Sequence, residues 1–169
     1  MKNHFCVLFI ALTFLYVSSQ EHPENGSWLN QDSTFQNHLE IKFFTLEDGL
    51  SQVSSNDLLL DKLGFVWIAT QDGLNRFDGK VFKHFKHNHS DSTSISGNLI
   101  SKLLEDHKGN IWVGTNGNGL NYYNPNLELF HRTKLENSPD EDETITGLAT
   151  NQQGYVWVAS RFSGLHRIQ

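Results

Sequence analysis

Hydrophobic and polar positions alternate in short blocks along residues 41–169, and one block recurs at a fixed spacing. The segment DKLGFVWIAT at 61–70 returns as DHKGNIWVGT at 106–115 and as NQQGYVWVAS at 151–160, at an interval of 45 residues each time. Each copy joins a polar turn to a short apolar run and lacks the period of an amphipathic helix. A repeat of this length indicates a solenoid or a propeller.

One period, over residues 95–131, predicts four short strands. The runs ISGNLISKLLED, IWVGT, LNYY and LELF are separated by the turns HKGN, NGNG and NPN. This pattern predicts a four-stranded antiparallel meander, which is the blade of a β-propeller. A leucine-rich repeat would need a shorter period and a helical solenoid would need helix caps, and neither is visible. We therefore predict an all-β fold of propeller blades.

The glycine of each copy marks a turn. Gly64, Gly109 and Gly154 each follow an aspartate or asparagine by three positions. A hairpin turn at this point needs a positive φ, which a side chain would oppose. The glycine is therefore expected to close a hairpin in every period. Asp61 and Asp106 are interpreted as parts of the same turn rather than as a catalytic acid pair.

Trp67, Trp112 and Trp157 occupy the middle of runs that are apolar on both faces, namely VWI, IWV and VWV. Such a strand is expected where a sheet lies between two neighbouring sheets. We therefore predict that the tryptophans pack between blades rather than stack on sugars. All repeated positions are expected to serve the scaffold, because every copy contains them. In chain order they are Asp61, Gly64, Trp67, Thr70, Gly73, Asp106, Gly109, Trp112, Thr115, Gly119, Asn151, Gly154, Trp157, Ser160 and Gly164.

Residues 1–19 have the pattern of a secretory signal peptide, with a positively charged start, an apolar run at 5–17 and then Ser-Ser-Gln. We predict cleavage before Gln20. An uncleaved membrane anchor is the alternative, but an apolar run that covers only 5–17 falls short of the roughly 20 residues needed to span a bilayer. Cys6, the single cysteine, lies in this leader, so the exported form is expected to have no disulfide and no reactive thiol.

The rest of the chain divides into a polar segment and a partial propeller. Residues 20–40 are polar and without pattern, and residues 41–169 hold the predicted strands. The run IKFFTL at 41–46 has no partner in a linear count, so we interpret it as a closing strand that completes a blade outside this chain. The full repeats are expected around 50–85, 95–131 and 144–169.

The length limits how many blades the chain can form. The 150 residues after residue 19 amount to about 3.3 periods, fewer than the roughly four to eight blades of a closed propeller. We therefore expect an incomplete propeller of about three blades. The chain is either the front end of a longer protein or one part of an oligomeric ring, and its expected partners are further blades of the same or another chain.

Charge excludes one class of partner. The chain has 13 Lys and Arg against 19 Asp and Glu, for a net charge of −6, and the basic residues are scattered. Nucleic acid is therefore an unexpected partner. No second stretch approaches the length of a membrane span.

Two clusters of potential ligands are better explained without a metal. His84, His87 and His89 lie within six residues, but on a strand His84 faces away from the other two, so a solvated outer strand is favoured. The acidic run SPDEDET at 138–144 lacks the glycine and the oxygen spacing of a calcium loop, and we interpret it as a charged connection between blades. Its carboxylates belong to Asp140, Glu141, Asp142 and Glu143.

Catalytic motifs are missing from the sequence. There is no nucleophile elbow, no Ser-His-Asp arrangement and no phosphate-binding glycine loop. We therefore predict that this chain is not an enzyme, needs no cofactor and has no metal site. The residues that bind a ligand are not identified by the sequence.

The run EDHKGNIWVGTNGNGL at 105–120 resembles the two-component regulator propeller repeat, and LEDGLSQ at 46–52 is similar to the entry of that family into its first blade. The resemblance covers roughly residues 41–169. Departures from the repeat are modest and keep its strands and turns. They are Ala69 and Ala159 in place of glycine, Ser160 in place of threonine and Asn151 in place of aspartate.

The resemblance implies a function. Members of this family are the periplasmic sensor regions of bacterial hybrid two-component histidine kinases, anchored in the inner membrane and typically responsive to glycans. The resemblance therefore implies that this chain is an extracytoplasmic input region with an oligosaccharide as the expected ligand. It also implies that the catalytic machinery lies outside this chain. The alternative is a secreted propeller that binds glycans and closes its ring by oligomerisation. An enzyme that uses the propeller as a platform is a more distant third.

Overall fold

The strands follow the repeat along the chain. The structure, a computed structural model, describes residues 40–138 and 143–169. The strands all lie in the unit Phe43–Gln169, and the described residues contain no helix. In chain order the strands are β1 (Ser55–Leu60), β2 (Val66–Thr70), β3 (Gly73–Phe77), β4 (Phe82–Phe85), β5 (Ile100–Glu105), β6 (Ile111–Thr115), β7 (Leu120–Asn124), β8 (Leu129–Thr133), β9 (Ile145–Thr150), β10 (Val156–Ser160) and β11 (Leu165–Ile168).

These strands form three antiparallel sheets, here called blades 1, 2 and 3. Blade 1 has the order β1-β2-β3-β4, blade 2 the order β5-β6-β7-β8, and blade 3 the order β9-β10-β11. Strand β5 contacts both β1 and β9, so these three are the inner strands, and β4 and β8 lie at the outer edges. The prediction of an all-β fold built from propeller blades is confirmed.

The first hairpin of every blade turns at the repeated glycine. Gly64, Gly109 and Gly154 have φ angles of 89°, 82° and 95°. Their backbone N–H groups each donate to the carbonyl oxygen of the residue three positions earlier, at 3.0 to 3.2 Å. Because an L side chain rarely adopts such a φ, glycine suits this position in all three copies.

Trp67 fills the core between blades 1 and 2. Its side chain is 1% exposed and belongs to a cluster with Ile111, Val113 and Tyr123 of blade 2. The indole ring lies 5.3 Å from the ring of Tyr123 and 5.6 Å from that of Phe85. Burial of a large aromatic side chain on this scale makes the tryptophan a main source of cohesion between the two sheets.

Trp112 has the equivalent place between blades 2 and 3. It is 7% exposed and packs with Ile145, Val156 and Val158 of blade 3. Close packing here also explains the glycine in the strand of blade 2, because a Cβ on Gly114 would lie 2.6 Å from Cγ2 of Ile145. The two cores are thus successive layers of one stack.

The end blades each have one open face. Since side chains alternate along a strand, Val156 and Val158 point to blade 2 and Trp157 points away, where it is only half buried. Leu165 on the same face is 66% exposed. On blade 1, Leu58 and Leu60 are each 65% exposed on the face turned away from blade 2. Within the described part of the chain, Trp157 therefore differs from the other two repeated tryptophans in having no blade packed against it.

Phe44 covers the outer part of the open face of blade 1. Its ring lies 5.0 Å from that of Phe77 and 5.7 Å from that of Phe82, both edge-on. Phe85 of β4 makes similar contacts with Tyr123 at 5.3 Å and Phe130 at 5.4 Å. Both contacted pairs are cross-strand partners in their blades. Phe44 thus takes beside blade 1 the place that an outer-strand phenylalanine takes beside blade 2.

The predicted segments before the blades have different outcomes. Residues 41–45 are not assigned to a strand, and the interpretation of 41–46 as a closing strand stays a prediction. The predicted leader at 1–19 lies outside the described residues, as does the polar segment at 20–40 except for its last residue. The predicted repeats at 50–85, 95–131 and 144–169 contain the strands of blades 1, 2 and 3, apart from the last residues of β8.

Candidate functional site

The repeated aspartate holds the first turn of each blade to the tryptophan. Asp61 Oδ1 accepts hydrogen bonds from the backbone N–H groups of Leu63 and Phe65, both at 2.9 Å. Its Oδ2 accepts a 2.7 Å bond from Nε1 of Trp67. Asp61 is 8% exposed, so the carboxylate replaces water for donors that would otherwise be unsatisfied. Asp61 thus connects the turn at 61–65 to the tryptophan of the next strand.

Asp106 repeats the arrangement in blade 2. Its carboxylate accepts from the backbone of Lys108 and Asn110, from the Asn110 amide and from Nε1 of Trp112, the last at 2.9 Å. Burial alone would raise the pKa of Asp106, but the hydrogen bonds from Asn110, Trp112 and the backbone outweigh it and lower the pKa. The ionised form is therefore the one that the fold stabilises.

Asn151 changes the third copy. Its Oδ1 accepts from the backbone of Gln153 and Tyr155, as the aspartates do in their turns. Its Nδ2 stands where an aspartate has a second oxygen and donates instead to Gln153 Oε1 at 3.1 Å. An amide nitrogen cannot accept from an indole N–H. The turn is thus retained in blade 3, but the bond between turn and tryptophan is lost.

The second turn of each blade is closed by the repeated threonine or serine. Thr70 Oγ1 donates to the carbonyl of Gly73 at 2.8 Å, and Thr115 Oγ1 donates to that of Gly119 at 2.7 Å. In blade 3, Ser160 Oγ instead exchanges a 2.7 Å bond with the hydroxyl of Ser163. These positions lie at the opposite end of the sheets from the aspartate turns.

An asparagine that follows the Gly-Leu of the repeat is a further structural residue that sequence reasoning missed. Asn75 accepts from the backbone N–H of Ser51 at 2.9 Å and donates to its hydroxyl at 2.8 Å. Asn121 does the same with Ser96, at 3.0 and 2.7 Å. Both amides are fully buried. The recurring Gly-Leu-Asn was the available signal, and in blade 3 the asparagine is replaced by His166.

Hydrogen bonds between inner strands set the spacing of the blades. Asn56 Nδ2 donates to the carbonyl oxygen of Ile100 at 2.7 Å, and Ser101 Oγ donates to that of Ile145 at 2.8 Å. Asp57 Oδ2 also accepts from the backbone N–H of Leu103 at 3.0 Å. The first two bonds join equivalent positions one period apart, so each blade meets the next in the same register.

Two clefts open between the blades at the end where the aspartate turns lie. The first cleft, between blades 1 and 2, has a volume of about 300 Å³ and contains Lys62, Phe65, Arg76, His107 and Lys108 in its lining. The second cleft, between blades 2 and 3, has about 310 Å³. Among its lining residues are His107, Lys108, Tyr122, Asn124 and Thr133. These clefts are the candidate ligand sites that the blade stack creates.

Arg76 distinguishes the first cleft from the second. It is paired across the sheet with Trp67, and Tyr122 holds the equivalent place opposite Trp112. The guanidinium carbon of Arg76 lies 4.5 Å from the ring centre of Phe65 and 5.6 Å from that of Trp67. The first cleft therefore has a positive charge held over an aromatic surface, whereas Tyr122 stacks on His131 at 4.7 Å.

Within the histidine cluster, His84 has a different partner from His87 and His89. His84 Nε2 bonds to the carbonyl of Gly49 at 2.6 Å. His87 meets the carbonyl of Ile95 at 2.8 Å and the ring of His89 at 3.2 Å. Across residues 40–138 and 143–169, no group of three or more metal-ligating side chains converges.

Most of the acidic run lies outside the described residues, including Asp140, Glu141 and Asp142. Glu143 is described and is 5% exposed, and neither of its carboxylate oxygens has a hydrogen-bond partner. Its backbone carbonyl accepts from the N–H of Gly119 at 2.8 Å. This end of the run therefore joins blade 3 to the second turn of blade 2.

A membrane-crossing helix is not found within residues 40–138 and 143–169.

Sequence comparison supports the repeat. Residues 94–117 match the family model described as two component regulator propeller. Histidine kinase P4 of Formosa agariphila is 55% identical over 56 residues, which are 33% of this chain and 4% of that protein. This chain thus spans only a small part of the curated relative that it matches.

Solved structures share the blade stack. The extracellular domain assigned to the hybrid two component system BT3049 from B. thetaiotaomicron is 29% identical with a TM-score of 0.67, over 76% of this chain and 18% of that chain. The domain assigned to the one component system BT4673 is 25% identical with a TM-score of 0.61, over 75% and 16%. The chain therefore carries the two-component regulator propeller repeat, and its blades have the fold of extracellular domains of hybrid two-component systems.

Proposed function

We propose that this chain is the amino-terminal, extracytoplasmic ligand-sensing region of a hybrid two-component sensor histidine kinase. The observation that carries the proposal is the match of its consecutive blades to the extracellular domain of a hybrid two component system. The sequence similarity to a histidine kinase supports the same assignment. In this proposal the chain is exported, and its blades are the input part of the receptor.

The blades themselves are proposed to be non-catalytic. Asp61 and Asp106 are engaged by their own turns and by the indoles of Trp67 and Trp112. A carboxylate whose oxygens accept several protein hydrogen bonds is poorly placed to act as an acid or base. The phosphorylation chemistry would then belong to other parts of the full protein.

The open faces are proposed to receive further blades. The faces between blades are covered by the neighbouring blade. The corresponding apolar residues on the open faces are Leu58 and Leu60 on blade 1 and Trp157 and Leu165 on blade 3. Each blade of a repeat architecture buries its apolar faces only against neighbours. Phe44 supports ring closure, because it lies on the open face of blade 1 as an outer-strand residue of a preceding blade would.

A glycan is the proposed signal. This part of the proposal rests on the resemblance to the sensor family and on the two clefts of about 300 and 310 Å³, which are large enough for one or two sugar rings. The clefts combine aromatic, amide and basic side chains, which suit a hydroxylated ligand.

The test uses the full-length protein in membrane vesicles. Phosphorylation from labelled ATP is measured with and without a panel of oligosaccharides from plant and algal polysaccharides. We expect one of them to change the rate in the wild type, and Trp112→Ala to abolish the response because blades 2 and 3 separate. His89→Ala, at an exposed position, is the control and should respond normally.

Two results would count against the proposal. One is a gene product that is secreted without any kinase domain and closes a ring from several copies, which is the alternative of a secreted binding protein. The other is a kinase whose rate responds to the oligosaccharide as strongly in the Trp112→Ala protein as in the wild type.

A further inference from the structure

The first cleft contains a cation without a counter-ion. Arg76 is half buried, and no carboxylate of the described residues lies within 4.0 Å of its guanidinium, since the ion pairs among them are Lys62–Glu105, Lys83–Glu128 and Lys86–Asp72. Partly burying a charge without a partner is unfavourable. Arg76 can therefore still form an ion pair with an anionic ligand.

The two acidic side chains in the same cleft are already occupied. Asp61 accepts from two backbone N–H groups and from Trp67. Glu105 accepts from the backbone N–H of Lys62 at 3.1 Å and pairs with its ammonium at 3.7 Å. Neither forms an ion pair with Arg76. The other basic side chains that line the cleft are Lys62, Lys108 and His107, and the last two are exposed at its rim.

Arg76 also interacts with the hydroxyl of Tyr123, which uses only part of its donors. The guanidinium lies over the ring of Phe65, and the cleft also contains Asn126. A guanidinium has five N–H donors along its edge, which match two oxygens of a carboxylate or sulfate. Stacking holds the plane of the group, so less conformational entropy is lost when the anion binds.

We propose that the first cleft is an oxyanion site, in which Arg76 binds a carboxylate or sulfate group with Lys108 and His107 at the rim. An arginine over an aromatic ring also occurs in blade 3, where Arg167 lies 4.6 Å from the ring centre of Tyr155 on the open face. The second cleft lacks this arginine, because Tyr122 holds the equivalent position opposite Trp112. The site is thus a property of particular blades and not of the repeat.

The oxyanion can come from two sources, a free inorganic anion or an acidic saccharide. The oxyanion site itself is independent of the proposed function, and only the saccharide source rests on it. Calorimetric titrations at constant ionic strength therefore use three probes. They are sodium sulfate, a disaccharide that carries a uronate and a sulfate, and a neutral disaccharide of the same size.

The test uses the longest soluble form that contains residues 41–169. We expect the acidic disaccharide to bind and the neutral one to bind at least about tenfold more weakly, because it lacks the charge-assisted bonds. Arg76→Gln should weaken anion binding by about tenfold or more, and Arg76→Lys by less, since lysine retains the charge without the fork. Arg161→Gln, which removes the same charge at an exposed position outside both clefts, should leave the affinity unchanged.

A purely structural role for Arg76 predicts a different pattern. Arg76→Gln would then lower the urea midpoint but leave anion binding intact, and that result would overturn the proposal, as would equal losses in Arg76→Gln and Arg161→Gln. If the wild type binds sulfate but not the acidic disaccharide, and Arg76→Gln loses sulfate binding, the oxyanion site is supported. The first cleft would then not be the site of the proposed glycan response. Binding of neither anion by the wild type would refute the site and leave the proposed function to be tested elsewhere on the blades.

Discussion

The indole nitrogen of Trp67 donates a 2.7 Å hydrogen bond to the carboxylate of Asp61, six residues earlier in the chain. The bond ties the turn of the first hairpin to the residue that fills the core between blades 1 and 2. Trp112 and Asp106 repeat the relationship at 2.9 Å. Local turn geometry and the packing of one blade on the next are therefore fixed by the same side chain.

Asp61→Asn should destabilise the folded state by about 1–3 kcal/mol, because a buried donor loses its charged acceptor. Urea midpoints measure the effect. The matched change is Asn151→Asp, which supplies the missing acceptor to Trp157 and is expected to leave the midpoint unchanged or raise it. An Asp61→Asn protein as stable as the wild type would show that the bond contributes little.

Acid should weaken blade 2 through Asp106. Its pKa in the folded state lies below the ordinary value of 3.8, so the stabilisation is fully present above that value and is lost as the pH falls through the lowered pKa. The free energy of unfolding, measured at pH 6 and pH 3, should fall less in Asp106→Asn than in the wild type. Equal losses would mean that other carboxylates account for the acid sensitivity.

Trp112→Ala should cost about 3–5 kcal/mol, the usual range for deleting a large buried aromatic side chain. Trp157→Ala is the matched control, because Trp157 holds the same repeat position on an open face and should cost clearly less in this chain. In a longer form with a following blade, the two costs should converge. Equal urea midpoints for the two variants in the present chain would contradict the difference in burial.

Phe44 tests the closing-strand hypothesis, with its neighbour Phe43 as the control. Phe44→Ala should cost about 0.5–1.5 kcal/mol through its lost edge-on contacts with Phe77 and Phe82, whereas Phe43 is 81% exposed and Phe43→Ala should cost almost nothing. If residues 41–46 complete a blade, the cost of Phe44→Ala rises in a form that contains the last blade. A cost that stays the same in that form would remove the support for closure.

Sequence reasoning predicted the blades because their signals are local. A turn glycine, a period of 45 residues and apolar runs such as IWVGT define strands and their order. The buried bonds of Asn75 to Ser51 and the stacking of Arg76 on Phe65 were not predicted. The repeated Gly-Leu-Asn marks the asparagine, but its bond to Ser51 and the contact of Arg76 with Phe65 depend on which segments the fold brings together, and local patterns do not show that.

The open faces predict how residues 20–169 behave alone. Leu58 and Leu60 on one side and Trp157 and Leu165 on the other leave apolar surface exposed at both ends of the stack, and such surface favours self-association. Light scattering should therefore show species larger than a monomer.

The decisive experiment compares a lysine introduced on an open face with a lysine introduced away from the open faces. Leu60→Lys should reduce self-association, because it puts an ammonium on the open face of blade 1. Leu127→Lys is the control, because Leu127 is 59% exposed in the turn between β7 and β8, away from both open faces. A wild type that is a monodisperse monomer with cooperative unfolding would refute the incomplete propeller. Discrete rings would favour the secreted binding protein, and aggregation relieved by adding further blades would favour the sensor.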